Sequence, residues 1–217
     1  MDVAIIGTGY VGLVTGACFA EKGHRVLCVD NDTGKIRSLL QGVMPIYEPG
    51  LDDVVRRNVE AKRFSFGSTV KEAVDFGKVI FICVGTPPAA GGHADLSFVE
   101  GVAREIGEAL DGFRLIVEKS TVPVMTGAKV AATIARYAKK GIEFEVASNP
   151  EFLREGSAIE DTFKPDRIVI GVESPRAEKM LREIYAGYQA PFIVTDIKSA
   201  ELIKHASNSF LSTKISY

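Results

Sequence analysis

The sequence predicts an α/β fold in which a mainly parallel, doubly wound sheet carries helices on both faces. Three observations predict it: short segments rich in valine and isoleucine recur, segments with helical periodicity separate them, and most apolar segments are apolar at consecutive positions. Strands that are buried on both faces have this continuous apolar character, which is typical of parallel sheets. The regular alternation of strand and helix indicates the doubly wound arrangement.

The apolar segments and the helical patterns follow one another along most of the chain. The predicted strands are 3–7, 25–30, 78–85, 114–120, 144–150, 167–172 and 192–197. The predicted helices are 10–22, 33–41, 51–60, 96–110, 123–140 and 175–186. Two helix starts carry local signals. The helix over 96–110 has a plausible start at Asp95 or at Ser97, with Ser97 and Glu100 spaced as in a capping box, and Ser174 precedes a first-turn proline.

The last segment differs because no glycine or proline interrupts it. From about Ser199 to Tyr217 the pattern predicts a helix without a C-terminal stop signal. We therefore expect one domain over residues 1–196, the beginning of a long helix over 197–217, and a chain that is the N-terminal portion of something longer.

Composition and charge exclude several classes of protein. The chain has 217 residues, of which 46% are hydrophobic and 25% charged, enough to bury a sizeable core. A net charge of −2 offers no concentrated basic face for nucleic acid. No basic leader and no apolar segment of membrane-span length is present, so we expect a cytoplasmic protein that is not bound to membranes.

The cysteines and histidines suggest neither disulfides nor a metal site. Cys18, Cys28 and Cys83 are odd in number, widely spaced and set in apolar segments, so we expect reduced, buried thiols. The three histidines are scattered without ligand spacing, and no metal is expected.

A glycine-rich turn follows the first predicted strand and opens the first predicted helix. Gly7, Gly9 and Gly12 stand in GxGxxG spacing. The first glycine permits a tight turn, the second lets a pyrophosphate approach the backbone, and the third lets the helix pack closely on the strand. This context predicts a Rossmann-like dinucleotide site, although glycines used only for packing remain an alternative.

The second predicted strand ends in Asp30, 18 residues after Gly12. A carboxylate here can accept hydrogen bonds from both adenosine ribose hydroxyls, and it repels a 2′-phosphate, so NAD is favoured over NADP. Lys35 lies near enough in sequence to weaken that preference, and FAD is a second alternative.

Polar residues also follow later strands. Thr86 comes after the third long strand, and Ser120 and Thr121 come after the fourth. Ligands of open α/β sheets lie beyond the carboxyl ends of strands, so these residues are candidates for ligand contact, although each alone is equally typical of a cap or turn. The mixed stretch "NPEFLREG" (149–156) is by itself typical of a solvated helix start.

Seven motifs in this order resemble the UDP-glucose/GDP-mannose dehydrogenase family over essentially the whole chain. They are "GTGYVG", "IYEPGL", "VGTPP", "KSTVP", "NPEFLREGSAIED", "PDRIVIG" and "AELIKHASNSFL". Within the family, "NPEFLREGSAIED" with "KPDRIVIG" is most similar to the members that act on UDP-glucose. The resemblance implies oxidation of the C6 alcohol of a nucleotide sugar to a carboxylate with two NAD, and a homodimer of the full-length enzyme through a long central helix.

The resemblance also implies roles for individual residues. It places Gly7, Gly9, Tyr10, Val11 and Gly12 beside the pyrophosphate. It makes Asp30 and Lys35 contacts of the adenosine ribose. It places Val84, Thr86, Pro87, Ser120 and Thr121 beside the nicotinamide half, with Thr121 also among the catalytic residues. The sugar is held by Glu151, Phe152, Leu153, Arg154 and Glu155. In this reading Glu151 does acid/base work, Glu155 contacts the cofactor side, and Arg154 limits repulsion between the two carboxylates.

Lys204 and Asn208 are four residues apart, so they share one helix face with Leu211 and Ile215. Without the resemblance they are typical of a lysine lying along an apolar surface and a surface amide. The resemblance makes Lys204 an oxyanion stabiliser and Asn208 its partner in holding water or the C6 oxygen.

Two features depart from the family pattern. The family's nucleophilic cysteine, in a "GGSCFPKD"-like segment, is absent, and none of the three cysteines matches it. Met125 stands where glycine is common, and either alters the pocket or fills a gap. GDP-mannose or a UDP-N-acetyl sugar remains an alternative substrate, and a non-catalytic dinucleotide-binding module remains an alternative function.

Overall fold

An eight-stranded sheet passes through the molecule, with nine helices packed along it, in a computed structural model that describes all 217 residues. The strands are β1 (Asp2–Ile6), β2 (Arg25–Val29), β3 (Phe64–Gly67), β4 (Val79–Ile82), β5 (Arg114–Glu118), β6 (Phe144–Ser148), β7 (Ile168–Gly171) and β8 (Phe192–Thr195). The helices are α1 (Tyr10–Glu21), α2 (Thr33–Leu40), α3 (Leu51–Glu60), α4 (Val70–Phe76), α5 (Ser97–Ala109), α6 (Thr126–Tyr137), α7 (Ala158–Phe163), α8 (Pro175–Ile184) and α9 (Ile197–Ser216).

The strand order across the sheet is β3-β2-β1-β4-β5-β6-β7-β8. Every neighbouring pair is parallel except β6 and β7, which meet at one antiparallel pair, Ser148 opposite Gly171. The predicted fold class, a doubly wound and mainly parallel sheet, is therefore confirmed. Because β1, β2, β4, β5 and β6 run in one direction, the segments that follow them emerge at the same edge of the sheet.

Two apolar cores lie on the two faces of the sheet. Val3 and Ile5 of β1 belong to one core, while Ala4 and Ile6 belong to the other. Successive side chains of a strand point to opposite faces, so a strand apolar at every position feeds both layers. The continuous apolar segments of the sequence thus have their explanation in the helices that cover each face.

Three elements escaped the sequence prediction: β3, α4 and α7. The edge strand β3 has only four residues, and two of them are not apolar. The start of α4 did carry a signal, since Thr69 and Glu72 form a complete capping box. A further helix, α7, has six residues, too few for a helical period to stand out.

The capping box predicted at Ser97 is wrong, and Asp95, the other predicted start of this helix, lies one residue before the N-cap. The N-cap of α5 is Leu96, whose side chain makes no capping bond, and the Asp95 carboxylate accepts the Ser97 backbone N–H instead at 2.9 Å. The cap at Ser174 is confirmed, because its hydroxyl accepts the Ala177 backbone N–H at 3.0 Å.

The final helix, α9, packs over the sheet through its first half. An added Cβ at Gly171 would lie 2.6 Å from the Ala200 Cβ, so a side chain in β7 would push the helix away. Glu201 accepts the backbone N–H groups of Met125 and Gly127, both at 2.7 Å, which ties α9 to the start of α6. No helix in the structure is both long and apolar enough to cross a membrane.

Candidate functional site

The glycine-rich turn between β1 and α1 has little room for any side chain at two of its positions. Gly7 has a φ of +103°, and a Cβ there would lie 2.6 Å from the Cys83 carbonyl oxygen. A Cβ at Gly12 would lie 2.0 Å from the Gly7 carbonyl oxygen. The roles predicted for these two glycines, a tight turn and a close helix–strand approach, agree with this geometry.

Gly9 is different because its added Cβ would meet nothing within 4 Å. It is the N-cap of α1, and no side chain caps this helix. The first backbone N–H groups of a helix have no intrahelical partner, and together with the helix dipole they favour an anion. A dinucleotide pyrophosphate therefore fits beside Gly9, at the place a side chain would fill.

Asp30 lies just after β2, beside this turn. One carboxylate oxygen, Oδ2, accepts both the backbone N–H and the hydroxyl of Thr8 at 2.8 Å, and Oδ1 accepts the Asp32 N–H at 2.9 Å. Burial would raise the pKa of Asp30, but these hydrogen bonds and Lys35, whose Nζ lies 3.9 Å from Oδ2, hold it below its ordinary value. The ionised carboxylate has about one acceptor site left for a ribose, fewer than predicted.

The loops after β4 and β5 bind to each other. The Thr86 hydroxyl donates to the Thr121 carbonyl oxygen at 2.9 Å, and the Ser120 hydroxyl donates to the Ile82 carbonyl oxygen at 3.3 Å. Both side chains therefore have partners within the fold, on elements that are distant in sequence. Val84 and Pro87 belong to the same loop, with Pro87 exposed.

A cleft of about 590 Å³ opens beside the segment from Asn149 to Ser157, which joins β6 to α7 and which we call the lid segment. Predicted sugar-side residues from both sequence regions line this cleft: Glu151, Phe152, Leu153 and Arg154 of the lid segment, and Lys204 and Asn208 of α9. Leu211 also lines the cleft, whereas Ile215 does not and is exposed. The structure thus brings together two motifs that are about 50 residues apart.

Glu151 and Lys204 form an ion pair in the wall of the cleft. Lys204 Nζ lies 2.9 Å from Glu151 Oε1, and the two side chains are 9% and 12% exposed. The other carboxylate oxygen accepts the Leu153 backbone N–H at 2.6 Å. A carboxylate and an ammonium held together with little water can take up a proton and stabilise a negative charge at neighbouring positions.

Phe152 lies close to two cations. The Arg167 guanidinium carbon is 4.4 Å from the ring centroid, and Lys204 Nζ is 5.3 Å from it. Both distances are within the range of cation–π attraction. The ring therefore helps to set the direction of the lysine. The sequence did not reveal the contact with Arg167, because Arg167 belongs to another motif.

One role predicted for the lid segment does not hold. The Arg154 guanidinium binds Asp161, with Nη2 at 2.6 Å from Oδ1 and Nε at 3.1 Å from Oδ2, and not the carboxylates of Glu151 and Glu155. The role assigned to it, limiting repulsion between those two carboxylates, is therefore wrong. Glu155 is exposed and does not line the cleft.

Sequence reasoning missed Lys119, which is buried in the cleft wall. Its Nζ donates to the side-chain and backbone oxygens of Asn149 at 3.2 and 3.4 Å, and the Tyr185 hydroxyl donates to the same amide oxygen at 2.6 Å. Burial lowers the pKa of Lys119, although the charge of Glu151 opposes this. The "KSTVP" motif contains this lysine, but nothing in the sequence marked it as buried.

Glu48 was also missed, although it lies in the motif "IYEPGL". It is buried and accepts hydrogen bonds from Tyr10, Gly156 and Ala158. The signal available in the sequence was an acidic residue among apolar ones and before a proline, which is too common to indicate a contact with a segment over 100 residues away.

The three cysteines are buried and free. Burial raises the pKa of Cys18 and of Cys83 to about 12, and it raises that of Cys28 well above its ordinary value. A thiol must ionise to act as a nucleophile, so none of the three is suited to that role near neutral pH.

Comparison with known proteins identifies relatives of the whole chain. Residues 1–189 match the NAD binding domain of the UDP-glucose/GDP-mannose dehydrogenase family. The UDP-glucose 6-dehydrogenase TuaD of Bacillus subtilis is 51% identical over 215 residues, which are 99% of this chain and 47% of TuaD. A UDP-glucose 6-dehydrogenase of Rhizobium meliloti is 51% identical over 223 residues, covering 100% of this chain and 51% of that protein.

Solved structures agree with this likeness. The UDP-glucose dehydrogenase of the archaeon Pyrobaculum islandicum superposes with a TM-score of 0.97 at 47% identity, over 100% of this chain and 51% of that one. The GDP-mannose dehydrogenase of Pseudomonas aeruginosa gives a TM-score of 0.95 at 39% identity, over 99% of this chain and 51% of that one. The chain thus spans about half the length of the curated relatives it matches.

Proposed function

Because the chain belongs to the UDP-glucose/GDP-mannose dehydrogenase family, we propose that it forms the NAD-binding half of an enzyme that oxidises C6 of UDP-glucose to the carboxylate of UDP-glucuronate. The observation that carries the proposal is the Glu151–Lys204 pair, which lies in a cleft formed by the lid segment and α9. The relatives named as UDP-glucose 6-dehydrogenases, at 51% identity, favour UDP-glucose over the alternatives.

The coenzyme half of the site binds through backbone groups. The N-terminus of α1 at Gly9 holds the pyrophosphate, and Asp30 accepts a ribose hydroxyl. The loops that carry Thr86 and Thr121 border the nicotinamide half. When bound, NAD supplies the acceptor for a hydride; an alcohol loses two hydrides on its way to a carboxylate, so two NAD are consumed.

The sugar half of the site handles protons and charge. Glu151 takes the proton of the C6 hydroxyl, and Lys204 stabilises the negative oxygen that is left. Phe152 and Leu153 exclude water, which strengthens both effects. Asn208, one helical turn beyond Lys204 and at the cleft, holds a water or the C6 oxygen. The second oxidation needs a thiolate nucleophile, which the residues of this chain do not supply.

Calorimetric titration of the chain with NAD, NADP and FAD tests the coenzyme side. We expect NAD to bind at least tenfold more tightly than NADP, because the ionised Asp30 repels a 2′-phosphate. In Asp30→Asn the ratio of the NADP and NAD dissociation constants should fall. The control Asp75→Asn, on the exposed face of α4, should keep the ratio of the unmodified chain. Tighter binding of NADP or FAD by the unmodified chain would contradict the proposal.

The substrate and the extent of the enzyme need separate tests. NAD reduction by the product of the native reading frame should be fastest with UDP-glucose and slower with GDP-mannose and UDP-N-acetyl sugars. A reading frame that continues beyond Tyr217 with a "GGSCFPKD"-like pattern would support an enzyme. A stop codon directly after Tyr217 would instead favour the non-catalytic dinucleotide-binding module.

We also propose that α9 takes part in a homodimer of the longer protein. The second half of this helix carries large apolar side chains that nothing covers: Phe210, Leu211 and Ile215. Exposed apolar stripes of this kind mark surfaces that pack against another chain. Light scattering of the complete protein, compared with a Phe210→Ser/Ile215→Ser variant, should give the mass of a dimer for the first and of a monomer for the second.

A further inference from the structure

Glu48 is a buried carboxylate with an unusual set of partners. It is 4% exposed, and its hydrogen bonds come from uncharged donors. The backbone N–H groups of Gly156 and Ala158 donate to Oε2 and Oε1, both at 2.8 Å. The Tyr10 hydroxyl also donates to Oε2. An ionised group that leaves water must be satisfied in this way, so its geometry is fixed by several donors at once.

The three donors come from two parts of the proposed site that are otherwise separate in sequence. Tyr10 is the first residue of α1 and directly follows Gly9 of the glycine-rich turn. Gly156 and Ala158 stand at the end of the lid segment and the start of α7. Glu48, in the loop between α2 and α3, binds both parts, and the Tyr10 hydroxyl oxygen also accepts the Gly156 backbone N–H at 3.1 Å.

The lid segment is attached at both of its ends, and Glu48 provides the attachment at the C-terminal end. Asn149, at the start of the segment, is fixed by Lys119 and Tyr185. Gly156, at its end, has a φ of +86° and points its N–H toward Glu48, with the Tyr10 oxygen also 3.1 Å away. Glu151 lies between these two anchors, so its position relative to the glycine-rich turn depends on both.

A simple helix cap does not account for the whole arrangement. Capping of α7 requires an acceptor for Ala158, and one carboxylate oxygen provides it. The second oxygen is used instead to join Tyr10 to the lid segment. Tyr10 is enclosed enough that burial, together with Glu48, raises its pKa to about 12, so its hydroxyl remains a donor across the neutral range.

We propose that Glu48 is a positioning residue that fixes the lid segment to the first turn of α1, so that the coenzyme turn and Glu151 keep one relative position. The proposal rests on the proposed function in that the two parts serve one reaction. Binding of NAD beside Gly9 then restrains Tyr10, and Glu48 passes that restraint to the lid segment. By linkage, a lid segment held in place favours NAD to the same extent.

Hydrogen exchange measured by mass spectrometry, on the chain with and without NAD, tests this role. The variants are Glu48→Gln, which replaces one acceptor oxygen by a donor, and Tyr10→Phe, which removes only the hydroxyl. The matched controls are Glu60→Gln and Tyr47→Phe, since both side chains are exposed. Without NAD, we expect the amides of the lid segment to exchange about tenfold faster in Glu48→Gln, while those of α5 keep their rates.

The decisive readout is the response to NAD. In the unmodified chain and both controls NAD should slow exchange in the lid segment, and in Glu48→Gln and Tyr10→Phe it should not, although NAD still binds. The dissociation constant for NAD should rise about tenfold in Glu48→Gln. A purely structural loss would speed exchange throughout the molecule and leave the response to NAD in place.

Two results would overturn the proposal: lid-segment exchange in Glu48→Gln within twofold of the unmodified chain, or NAD-induced protection that persists in Tyr10→Phe. If Glu48→Gln does not fold, as judged by circular dichroism, Tyr10→Phe decides alone. If the unmodified chain binds no NAD, the proposed function fails, and the exchange rates of the NAD-free variants still decide whether Glu48 positions the lid segment.

Discussion

The glycine-rich turn and the lid-segment cleft are built from different parts of the chain. The turn uses backbone groups of residues 7–12, and its glycines matter because a Cβ would meet the backbone or block a ligand. The cleft uses charged side chains that meet across 53 residues of sequence, as Glu151 and Lys204 do. Backbone sites tolerate almost no added atom, whereas side-chain sites depend on charge and on the correct packing of distant elements.

This difference predicts a rank order of mutational effects. A side chain added in the turn overlaps with backbone that cannot move, so it should lower the unfolding free energy most. Removal of a charge in the cleft costs less, because the remaining partner can relax toward water at the cleft opening. Changes where the two regions meet should lower the unfolding free energy least, and the size of the loss should depend on pH.

Gly12→Ala should have the largest effect. Its Cβ would lie 2.0 Å from the Gly7 carbonyl oxygen, which forces α1 away from the turn. We expect a loss of roughly 4 kcal/mol of unfolding free energy and no measurable NAD binding. The control is Gly101→Ala in α5, where a Cβ meets nothing within 4 Å, and there we expect a gain of about 0.5–1 kcal/mol. Equal denaturation midpoints for the two variants would show that the turn is not sterically closed.

Lys204→Met should come next. It removes the ammonium and leaves the Glu151 carboxylate, only 12% exposed, without its partner. We expect a loss of about 3 kcal/mol, measured by urea unfolding, and partial recovery in the double variant with Glu151→Gln. Lys214→Met, on the exposed end of α9, should change stability by less than about 0.5 kcal/mol. Additive losses in the double variant would argue against the pairing.

Glu118→Gln tests the boundary between the two regions. Glu118 ends β5, its Oε2 has no hydrogen-bond partner, and burial raises its pKa to about 8, with Ser120 opposing the rise and Glu201 adding to it. An acid whose pKa is higher when folded stabilises the fold most below its unfolded pKa, near 4.3, and loses this contribution as pH rises toward the folded pKa. The unmodified chain should therefore lose about 2 kcal/mol more between pH 6 and pH 8 than Glu118→Gln.

This prediction is checked by measuring the unfolding free energy as a function of pH for the unmodified chain and for Glu118→Gln. Glu105→Gln removes an exposed carboxylate of α5 and should keep the profile of the unmodified chain. Parallel profiles for Glu118→Gln and the unmodified chain would mean that Glu118 is ionised in the fold across this range.

Met125→Gly should have the smallest effect, and it should be favourable. Met125 is the N-cap of α6 with a φ of +80°, and its side chain is 44% exposed and does not line the cleft. An L-residue in a left-handed conformation carries a strain energy that glycine avoids. This strain exceeds the extra backbone entropy that glycine loses on folding, so we expect the unfolding free energy, measured by thermal unfolding, to rise by about 1 kcal/mol. Val124→Gly, at an ordinary φ, should instead destabilise. A loss in Met125→Gly would mean that its side-chain contacts outweigh the strain.

The Met125 geometry answers a question that the sequence left open. A methionine where glycine is common could have altered the pocket or filled a gap. The structure gives another reason for glycine there, since the backbone at this position has a positive φ. Conformational angles of this kind cannot be deduced from a helical pattern, because the pattern reports which face is apolar and not how the preceding residue turns.

The errors in the prediction of the site share one cause. Arg154 was assigned to the carboxylates next to it in sequence, whereas it binds Asp161 of α7, a helix too short to be predicted. Glu48 and Lys119 were overlooked because their partners are distant in the chain or because burial hides their role. In each case the deciding contact depends on how α7, α9 and the lid segment pack together.

The sequence by itself determined the doubly wound sheet, its two apolar faces and the glycine-rich turn, because periodicity, glycine conformation and strand–helix alternation act over a few residues. Only the tertiary structure decided that Lys204 meets Glu151, that Arg154 turns to Asp161, and that Glu48 joins Tyr10 to Gly156. The physical reason is that hydrogen bonds and ion pairs between distant segments form only after packing has removed the intervening water, and no local rule specifies which partners remain.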